Sequence, residues 1–291
     1  MRIVLLTMVT MVAFAANSIL CRLALGEATI DAASFTTLRL ASGAIMLLAV
    51  SRVASRGHAA EGSGNWLSAV VLFVYAIAFS FAYISLAAGT GALILFGTVQ
   101  ATMILVALRT GERPHRLEWL GLVVALAGLV YLVLPGLSAP SPGGSALMAV
   151  AGVAWGVYSL RGRGAADPTQ AITASFVRAL PFAFVVSALT LRAVSLSPRG
   201  ALLAVISGAL TSGLGYVLWY MALKGLTATR AAIVQLSVPV IAAAGGVLFL
   251  AEDLSFRLTV SSVLILGGVA LSVTVKSSTG PSAAGRLSPR R

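Results

Sequence analysis

Long apolar stretches recur along the whole chain, and their length restricts the fold more than any other feature. Each stretch holds about 18 to 25 mostly apolar residues, which is the length that an α-helix needs to cross a bilayer. The connections between them are too short to form a soluble domain. The sequence therefore predicts an all-α membrane protein embedded in the lipid bilayer, with ten transmembrane helices at residues 3–25, 32–51, 66–87, 91–108, 117–134, 144–160, 169–191, 200–223, 226–250 and 257–275.

The charge distribution orients these spans. The chain is 59% hydrophobic and 10% charged with a net charge of +12, whereas soluble domains are about 25% charged. With a cytoplasmic N-terminus, four basic loop residues face outside, namely Arg22, Arg192, Arg199 and Arg257. Many more face inside: Arg2, Arg52, Arg56, Arg109, Arg113, Arg116, Arg161, Arg163, Lys224, Lys276, Arg286, Arg290 and Arg291. This positive-inside bias predicts a multi-pass protein of the bacterial inner (plasma) membrane with both termini cytoplasmic. The basic charge serves orientation, and no nucleic-acid partner is expected.

Short motifs of the first half recur in order in the second half. FAANS (14–18) aligns with WGVYS (155–159), and the loop at Glu112 aligns with the loop at Glu252, at offsets of 137 to 141 residues. Each half holds five spans, an odd number, so the halves cross the membrane in opposite senses. We therefore predict two inverted five-helix repeats, as in many secondary transporters, with a substrate site near the midplane. The repeats cover residues 1–138 and 143–276, and residues 277–291 are predicted to be a disordered cytoplasmic tail.

The second half carries the motifs of a known family. The pair Trp155-Gly156 and the run YMALKGLTATRAAIVQLSVPVIAAAGGVLFLAEDLS, with its Tyr-x-Ala-Leu start, Pro239 and closing Ala-Glu, are similar to the signature of EamA-type exporters. These belong to the drug/metabolite transporter (DMT) superfamily, and the resemblance extends over about residues 3–275. Within it the chain looks most like the YddG-type exporters of aromatic amino acids, which are also associated with efflux of organic cations. The first repeat has Val99-Gln100 where that proline is expected, so the two halves need not gate equivalently.

The resemblance implies alternating access through a cavity surrounded by the first, third, fourth, sixth, eighth and ninth spans. Aromatic residues recur on two of these. Tyr75, Phe79 and Tyr83 form a stripe on the third span, and Ser212, Tyr216 and Tyr220, with Trp219 alongside, form its counterpart on the eighth. Such walls suit planar or cationic substrates. The alternative is that the rings pack between helices or lie at the membrane interfaces.

Amides interrupt several apolar spans. Asn17 on the first span, Gln100 on the fourth and Gln235 on the ninth would each be costly if they faced lipid. We expect them to reach the cavity, together with Trp155 and Tyr158 of the sixth span. The alternative for Asn17 is a hydrogen bond between helices, worth about 0.6 to 2 kcal/mol.

Charged residues within spans are functional candidates. For Arg39 and Arg178 we favour a structural role, in which each caps backbone carbonyls or extends to the nearer membrane face. Arg230 is the candidate for holding a substrate carboxylate. No Asp or Glu lies in the middle of a span, so we predict facilitated export rather than exchange of a proton at a buried carboxylate.

Two other transport functions stay open as alternatives, and an enzyme is not expected. An antiporter of phosphorylated metabolites or nucleotide sugars would need converging basic residues, and proton-coupled drug efflux would need an intramembrane acid. An enzyme would need paired acids, a metal set or an activated nucleophile, but the two histidines, His58 and His115, fall in loops. We expect no catalysis, no metal and no cofactor. We expect a small-molecule substrate, and a monomer is sufficient, although an oligomer is not excluded.

The candidate flexible points are Gly208, Gly215, Pro239 and Gly245.

Overall fold

The fold is a bundle of helices. A computed structural model describes residues 2–54, 65–111, 115–134, 139–163, 165–226, 228–253 and 255–273. These contain no strand, and their helices are α1 (Arg2–Gly26), α2 (Ala32–Ala54), α3 (Trp66–Ala82), α4 (Ala88–Arg109), α5 (Arg116–Val133), α6 (Pro142–Gly162), α7 (Pro168–Leu189), α8 (Pro198–Ile206), α9 (Gly215–Leu223), α10 (Ala228–Val234), α11 (Ser237–Leu250) and α12 (Phe256–Val273). The predicted tail at 277–291 and the predicted repeat partner Glu112 lie outside the described residues.

The spans agree with the sequence prediction. Seven stretches of the described chain are long and apolar enough to cross a membrane, and three shorter apolar helices lie at the predicted third, fifth and tenth spans. The all-α, multi-pass membrane fold is therefore confirmed. Among the uninterrupted spans, the boundary that differs most is the end of the third, because α3 ends at Ala82 and Tyr83 caps it in the αR region (φ −74°, ψ −3°).

The eighth and ninth spans are interrupted. The eighth consists of α8, a π-helical segment (Ser207–Leu214) and α9. The ninth, predicted as one stretch over 226–250, is divided between α10 and α11 at Gln235 and Leu236. Pro239 explains this break because it has no N–H to donate to the carbonyl of Gln235, four residues earlier. That carbonyl accepts from the N–H of Val238 instead, at 3.1 Å.

Consecutive spans are antiparallel, so their ends collect at two ends of the bundle. The Gly26 end, where α1 finishes, carries a bridge between Ile30 and Leu196 that joins the α1–α2 loop to the segment before α8. The Arg2 end, where α1 begins, carries a bond from Lys224 Nζ to the carbonyl of Ala166 at 3.0 Å. At each end of the bundle, a contact thus joins two segments that are far apart in sequence.

Helix contacts come in matched pairs. Helix α1 packs against the eighth and ninth spans, and α3 and α4 both pack against α6. Similarly, α2 packs along the eighth span and α3 along α7, while α5 lies along α12, α2 along α7 and α4 along α11. A two-fold relation between the predicted repeats would generate each of these pairs, because it exchanges the first span with the sixth, the second with the seventh, and so on.

Candidate functional site

A small cavity lies where the middle sections of four helices meet. Its volume is about 10 Å³, which is room for about one water molecule. Four predicted site residues line it, namely Asn17, Tyr75, Phe79 and Trp155. The other lining residues, which the sequence analysis did not propose, are Phe14, Ser18, Leu95 and Phe96. This central cavity is therefore walled mainly by aromatic rings, with an amide and a hydroxyl as its polar groups.

Six aromatic rings in tilted or edge-on contact form a continuous row through the bundle, which we call the aromatic column. Successive ring centroids lie 4.8, 5.4, 5.0, 5.8 and 5.6 Å apart in the order Tyr83, Phe79, Tyr75, Trp155, Tyr158 and Tyr220. The column combines all three residues of the first predicted stripe with one from the second. It reaches from the Gly26 end to the Arg2 end.

The remaining predicted aromatic residues surround the column. The Tyr216 ring lies 4.6 Å from Trp155 and 5.8 Å from Phe14. The Trp219 ring lies 5.8 Å from Phe14, and its Nε1 donates to the hydroxyl of Ser159 at 3.2 Å. The structure thus brings both predicted stripes together around the central cavity.

Asn17 lines the cavity and also joins two helices. Its Oδ1 accepts hydrogen bonds from Ser207 Oγ at 2.7 Å and from Thr211 Oγ1 at 3.1 Å. Both donors belong to the π-helical segment, whose wide turns are frequent at functional sites. Asn17 therefore does both things that the sequence analysis treated as alternatives: it reaches the cavity, and it forms hydrogen bonds between helices.

The two glutamines differ. The Oε1 of Gln235 accepts from Trp155 Nε1 at 2.8 Å, and its Nε2 donates to the carbonyl of Ala231 at 3.0 Å. Gln235 thus links the break in the ninth span to the aromatic column. Gln100 is also buried, but neither of its amide atoms has a hydrogen-bond partner and it does not line the cavity.

Contrary to the expectation from sequence, Arg39 neither caps backbone carbonyls nor extends to a membrane face. Its side chain is 1% exposed and caps no backbone carbonyl. Its Nε donates to Ser212 Oγ at 2.9 Å, and its Nη2 donates to the hydroxyls of Tyr75 at 3.2 Å and Tyr216 at 2.8 Å. The guanidinium carbon lies 5.3 Å from the Tyr75 ring centroid and 5.0 Å from that of Phe79. Arg39 therefore lies against two residues of the cavity wall.

The other two intramembrane arginines lie elsewhere. Arg178 is half-buried and lies over the ring of Trp66, with 5.8 Å between its guanidinium carbon and the ring centroid. Arg230, the predicted candidate for holding a substrate carboxylate, is exposed and does not line the central cavity. The physical reason is that α10 begins at Ala228, which places Arg230 in the first turn at the Arg2 end.

The Gly26 end carries a cluster that we call the Arg22 latch, consisting of Arg22, Glu252 and the N–H of Ala88. Arg22 Nε lies 3.5 Å from Glu252 Oε1, and Ala88 N donates to both carboxylate oxygens at 2.9 and 3.0 Å. Arg22 Nη1 also donates to the carbonyl of Tyr83 at 3.1 Å. A carboxylate at the start of α4 is favoured by the helix dipole. The latch thus joins α1, α3, α4 and the end of α11.

The Arg2 end is more open. A cavity of about 320 Å³ lies there, lined by Asn65, Ser68, Arg161, Gly162, Ala165, Ala171, Ser175 and Tyr220. Arg161 Nε donates to Ser68 Oγ at 2.9 Å. The Tyr220 ring, the last of the aromatic column, forms part of the wall, and its hydroxyl donates to the carbonyl of Tyr158 at 3.0 Å. Tyr220 therefore separates this Arg161 cavity from the rest of the column.

The predicted flexible points have different surroundings. Pro239 adjoins the break in the ninth span. A Cβ on Gly208 would overlap the carbonyl of Arg39, and one on Gly245 would overlap Ile19, so these two glycines allow close helix packing. A Cβ on Gly215 would make ordinary contact at 3.4 Å with Ala13.

The sequence analysis missed several residues of the site, and the reasons differ. Phe14 and Phe96 are apolar residues in apolar helices, and no local signal distinguishes a ring that faces the cavity from one that faces lipid. Arg39 did carry a signal, since a cation two turns inside an apolar helix is a functional candidate. Its sequence match to Arg178 favoured a shared structural role, and the structure separates the two.

Comparison with known proteins places the chain among transporters. The model of the EamA-like transporter family matches residues 142–274. An uncharacterized protein of Pseudomonas aeruginosa is 51% identical over 270 residues, covering 93% of this chain and 94% of the relative. An uncharacterized transporter of Archaeoglobus fulgidus is 26% identical over 284 residues, covering 92% of this chain and 96% of the relative. A crystal structure with 21% identity and a TM-score of 0.65 covers 91% of this chain and 98% of the solved one, and this likeness concerns the fold alone.

Proposed function

Because the chain belongs to the EamA-like transporter family, we propose that it exports small amphipathic metabolites from the cytoplasm across the bacterial inner membrane. Aromatic and other neutral amino acids are the leading substrates. The observation that carries the proposal is the aromatic wall of the central cavity, to which α1, α3, α4 and α6 all contribute. Planar rings bind favourably between such side chains through offset and edge-to-face contacts.

The mechanism is alternating access between two inverted repeats. The matched helix contacts support this relation, since the helices of one half pack against those of the other in exchanged pairs. With the Arg2 end in the cytoplasm, the Arg161 cavity is the cytoplasmic entrance and the Arg22 latch closes the outer side. Substrate entry then requires the rings of the column to separate, because the central cavity is far smaller than an amino acid.

Transport is facilitative. The lining of the central cavity contains no carboxylate, and the acid of the latch, Glu252, is engaged with Arg22 and Ala88 at the Gly26 end. A proton-coupled drug exporter would need an acid within the path. An antiporter of phosphorylated metabolites would need several converging cations, whereas Arg230 is exposed.

Counterflow in proteoliposomes tests the proposal. Vesicles are loaded with unlabelled phenylalanine, tryptophan, threonine or a sugar phosphate, and uptake of the labelled compound is followed with and without a pH gradient. We expect aromatic amino acids to exchange at matched pH. Exchange confined to the sugar phosphate, or strict dependence on the gradient, would contradict the proposal.

A matched pair of tryptophan variants connects the activity to the site. Trp155→Ala removes a cavity ring, and we expect aromatic counterflow to fall by about tenfold or more, the equivalent of one lost aromatic contact. Trp119→Ala is the control, because Trp119 is 45% exposed on α5. Equal loss in both variants would show that the cavity is not the site.

A further inference from the structure

Arg39 keeps unused hydrogen-bonding capacity in the interior of the bundle. A guanidinium has five N–H donors. The Nε and Nη2 of Arg39 are bonded to Ser212, Tyr75 and Tyr216, whereas the buried Nη1 has no hydrogen-bond partner. Buried polar groups are normally satisfied, so an orphaned nitrogen on a cation requires an explanation.

Among the described residues, no carboxylate forms an ion pair with this cation. The three hydroxyls that surround it are neutral, and two aromatic faces contribute only the attraction of their ring quadrupoles. Within the described part of the chain, the ion pairs are Arg22–Glu252 and Arg199–Glu27, and neither includes Arg39. A buried charge is ordinarily paired. The site is therefore complementary to an anion supplied from outside the chain.

The position of Arg39 beside the aromatic wall indicates that the anionic group belongs to an aromatic ligand. Tyr75 and Phe79 each present their ring both to Arg39 and to the central cavity. A ligand between these rings would bring an aromatic group into the column and a carboxylate to the guanidinium, which binds carboxylates through two parallel hydrogen bonds. The cavity lining offers no acid for an ammonium group.

We propose that Arg39 is the anion-binding residue of the central site, and that the transporter selects aromatic carboxylates, with the carboxylate required and the amino group dispensable. This inference rests on the proposed function and narrows its substrate class. An aromatic amine without a carboxylate meets an unpaired cation of its own sign, so it is rejected by repulsion.

Two analogues of phenylalanine test the selection. Phenylpropionate lacks the amino group, and phenylalaninamide lacks the carboxylate. Each is added as a competitor of labelled phenylalanine counterflow. We expect phenylpropionate to compete at least about tenfold more strongly than phenylalaninamide. This is the change in affinity that corresponds to the loss of one charge-assisted hydrogen bond. Equal competition, or stronger competition by phenylalaninamide, overturns the inference while leaving aromatic amino acid export intact.

Substitution of Arg39 assigns the preference to this residue. In Arg39→Gln, we expect phenylpropionate and phenylalaninamide to compete within about threefold of each other. Arg39→Lys should retain a smaller preference for phenylpropionate, because lysine keeps the charge without the forked donors. Arg178→Gln is the matched control, since Arg178 is the repeat counterpart and lies against Trp66 away from the cavity. A preference that survives in Arg39→Gln overturns the proposal.

Ligand-induced thermal stabilisation in detergent provides a readout that does not depend on transport. Phenylpropionate should raise the unfolding temperature of the native protein and of Arg178→Gln but not of Arg39→Gln, whose elution on gel filtration reports whether it is folded. If Arg39→Gln does not fold, the comparison is made with Arg39→Lys. Absence of phenylalanine counterflow together with stabilisation by phenylpropionate would reject the proposed amino acid substrates and keep the anion site; absence of both rejects the anion site as well.

Discussion

At the scale of single residues, the interior polar groups act as links between helices. The indole of Trp155 donates to Gln235 across 2.8 Å, and Asn17 accepts from two hydroxyls of the eighth span. In a bilayer such bonds replace the hydrophobic effect as a source of helix–helix specificity, since lipid tails are as apolar as the helix surfaces. Each link also fixes the orientation of a group that lines or supports the cavity.

The Trp155–Gln235 bond should appear as a coupling between two substitutions. We expect Trp155→Phe and Gln235→Leu, combined in a double-mutant cycle, to give an interaction energy of about 0.6 to 2 kcal/mol. The free energy of unfolding is measured by detergent denaturation of the purified protein. The control cycle combines Trp155→Phe with Ser159→Ala, because the hydroxyl of Ser159 bonds to Trp219 rather than to Trp155. Additive effects in both cycles would show that the bond contributes nothing.

At the scale of elements, two irregular spans shape the site. The π-helical segment presents Ser207, Thr211 and Ser212 to α1 and α2, where they bond to Asn17 and Arg39. The break in the ninth span places Gln235 beside Trp155. Departures from regular helix therefore coincide with the polar contacts of the central region, as they do in the discontinuous helices of other transporters.

Close packing of the π-helical segment against α2 depends on Gly208. A Cβ there would overlap Ser42 and the carbonyl of Arg39, so we expect Gly208→Ala to destabilise the protein by about 1 to 3 kcal/mol. The measurement is the thermal unfolding temperature in detergent.

Gly215→Ala is the matched control for this substitution. It lies in the same span, and its Cβ would meet Ala13 at an ordinary 3.4 Å. Equal stability of the two variants would contradict the close approach of the π-helical segment to α2.

At the scale of the whole molecule, the two ends of the bundle differ. The Gly26 end carries the Arg22 latch, whose side chains are 26% and 16% exposed, whereas the Arg161 cavity opens at the Arg2 end. The aromatic column extends between them. For the export that we propose, the latch must break to release substrate at the Gly26 end.

Loosening the latch should expose the chain's single cysteine. Cys21 precedes Arg22 and is fully buried. We expect Glu252→Gln to weaken closure by about 1 to 2 kcal/mol and so to increase the open population by about 5- to 30-fold. The measurement is the rate of Cys21 alkylation by a membrane-impermeant maleimide.

A second ion pair at the same end supplies the control. Glu27→Gln removes the partner of Arg199, and that pair is 60% and 44% exposed, so it contributes little to closure. Unchanged labelling in Glu252→Gln, or an equal increase in both variants, would contradict a gating role for the latch.

The sequence by itself determined the spans, because a bilayer requires every crossing segment to be long, apolar and internally hydrogen-bonded. These requirements act on consecutive residues and can be recognised locally. The aromatic stripes of the third and eighth spans were predicted for a similar reason, since residues four positions apart share a helical face. Two residues of these stripes, Tyr75 and Phe79, line the central cavity.

The tertiary structure alone decided which polar residues meet. Arg39 bonds to Ser212, 173 residues away, and Asn17 bonds to Ser207, 190 residues away. Such contacts depend on the rotation and tilt of each helix against its neighbours, which no local pattern records. For the same reason Arg39 and Arg178, matched in sequence, have different surroundings, and Arg230 lies at the surface. Local composition determines which segments of the chain cross the membrane, whereas helix packing determines which side chains enclose the site.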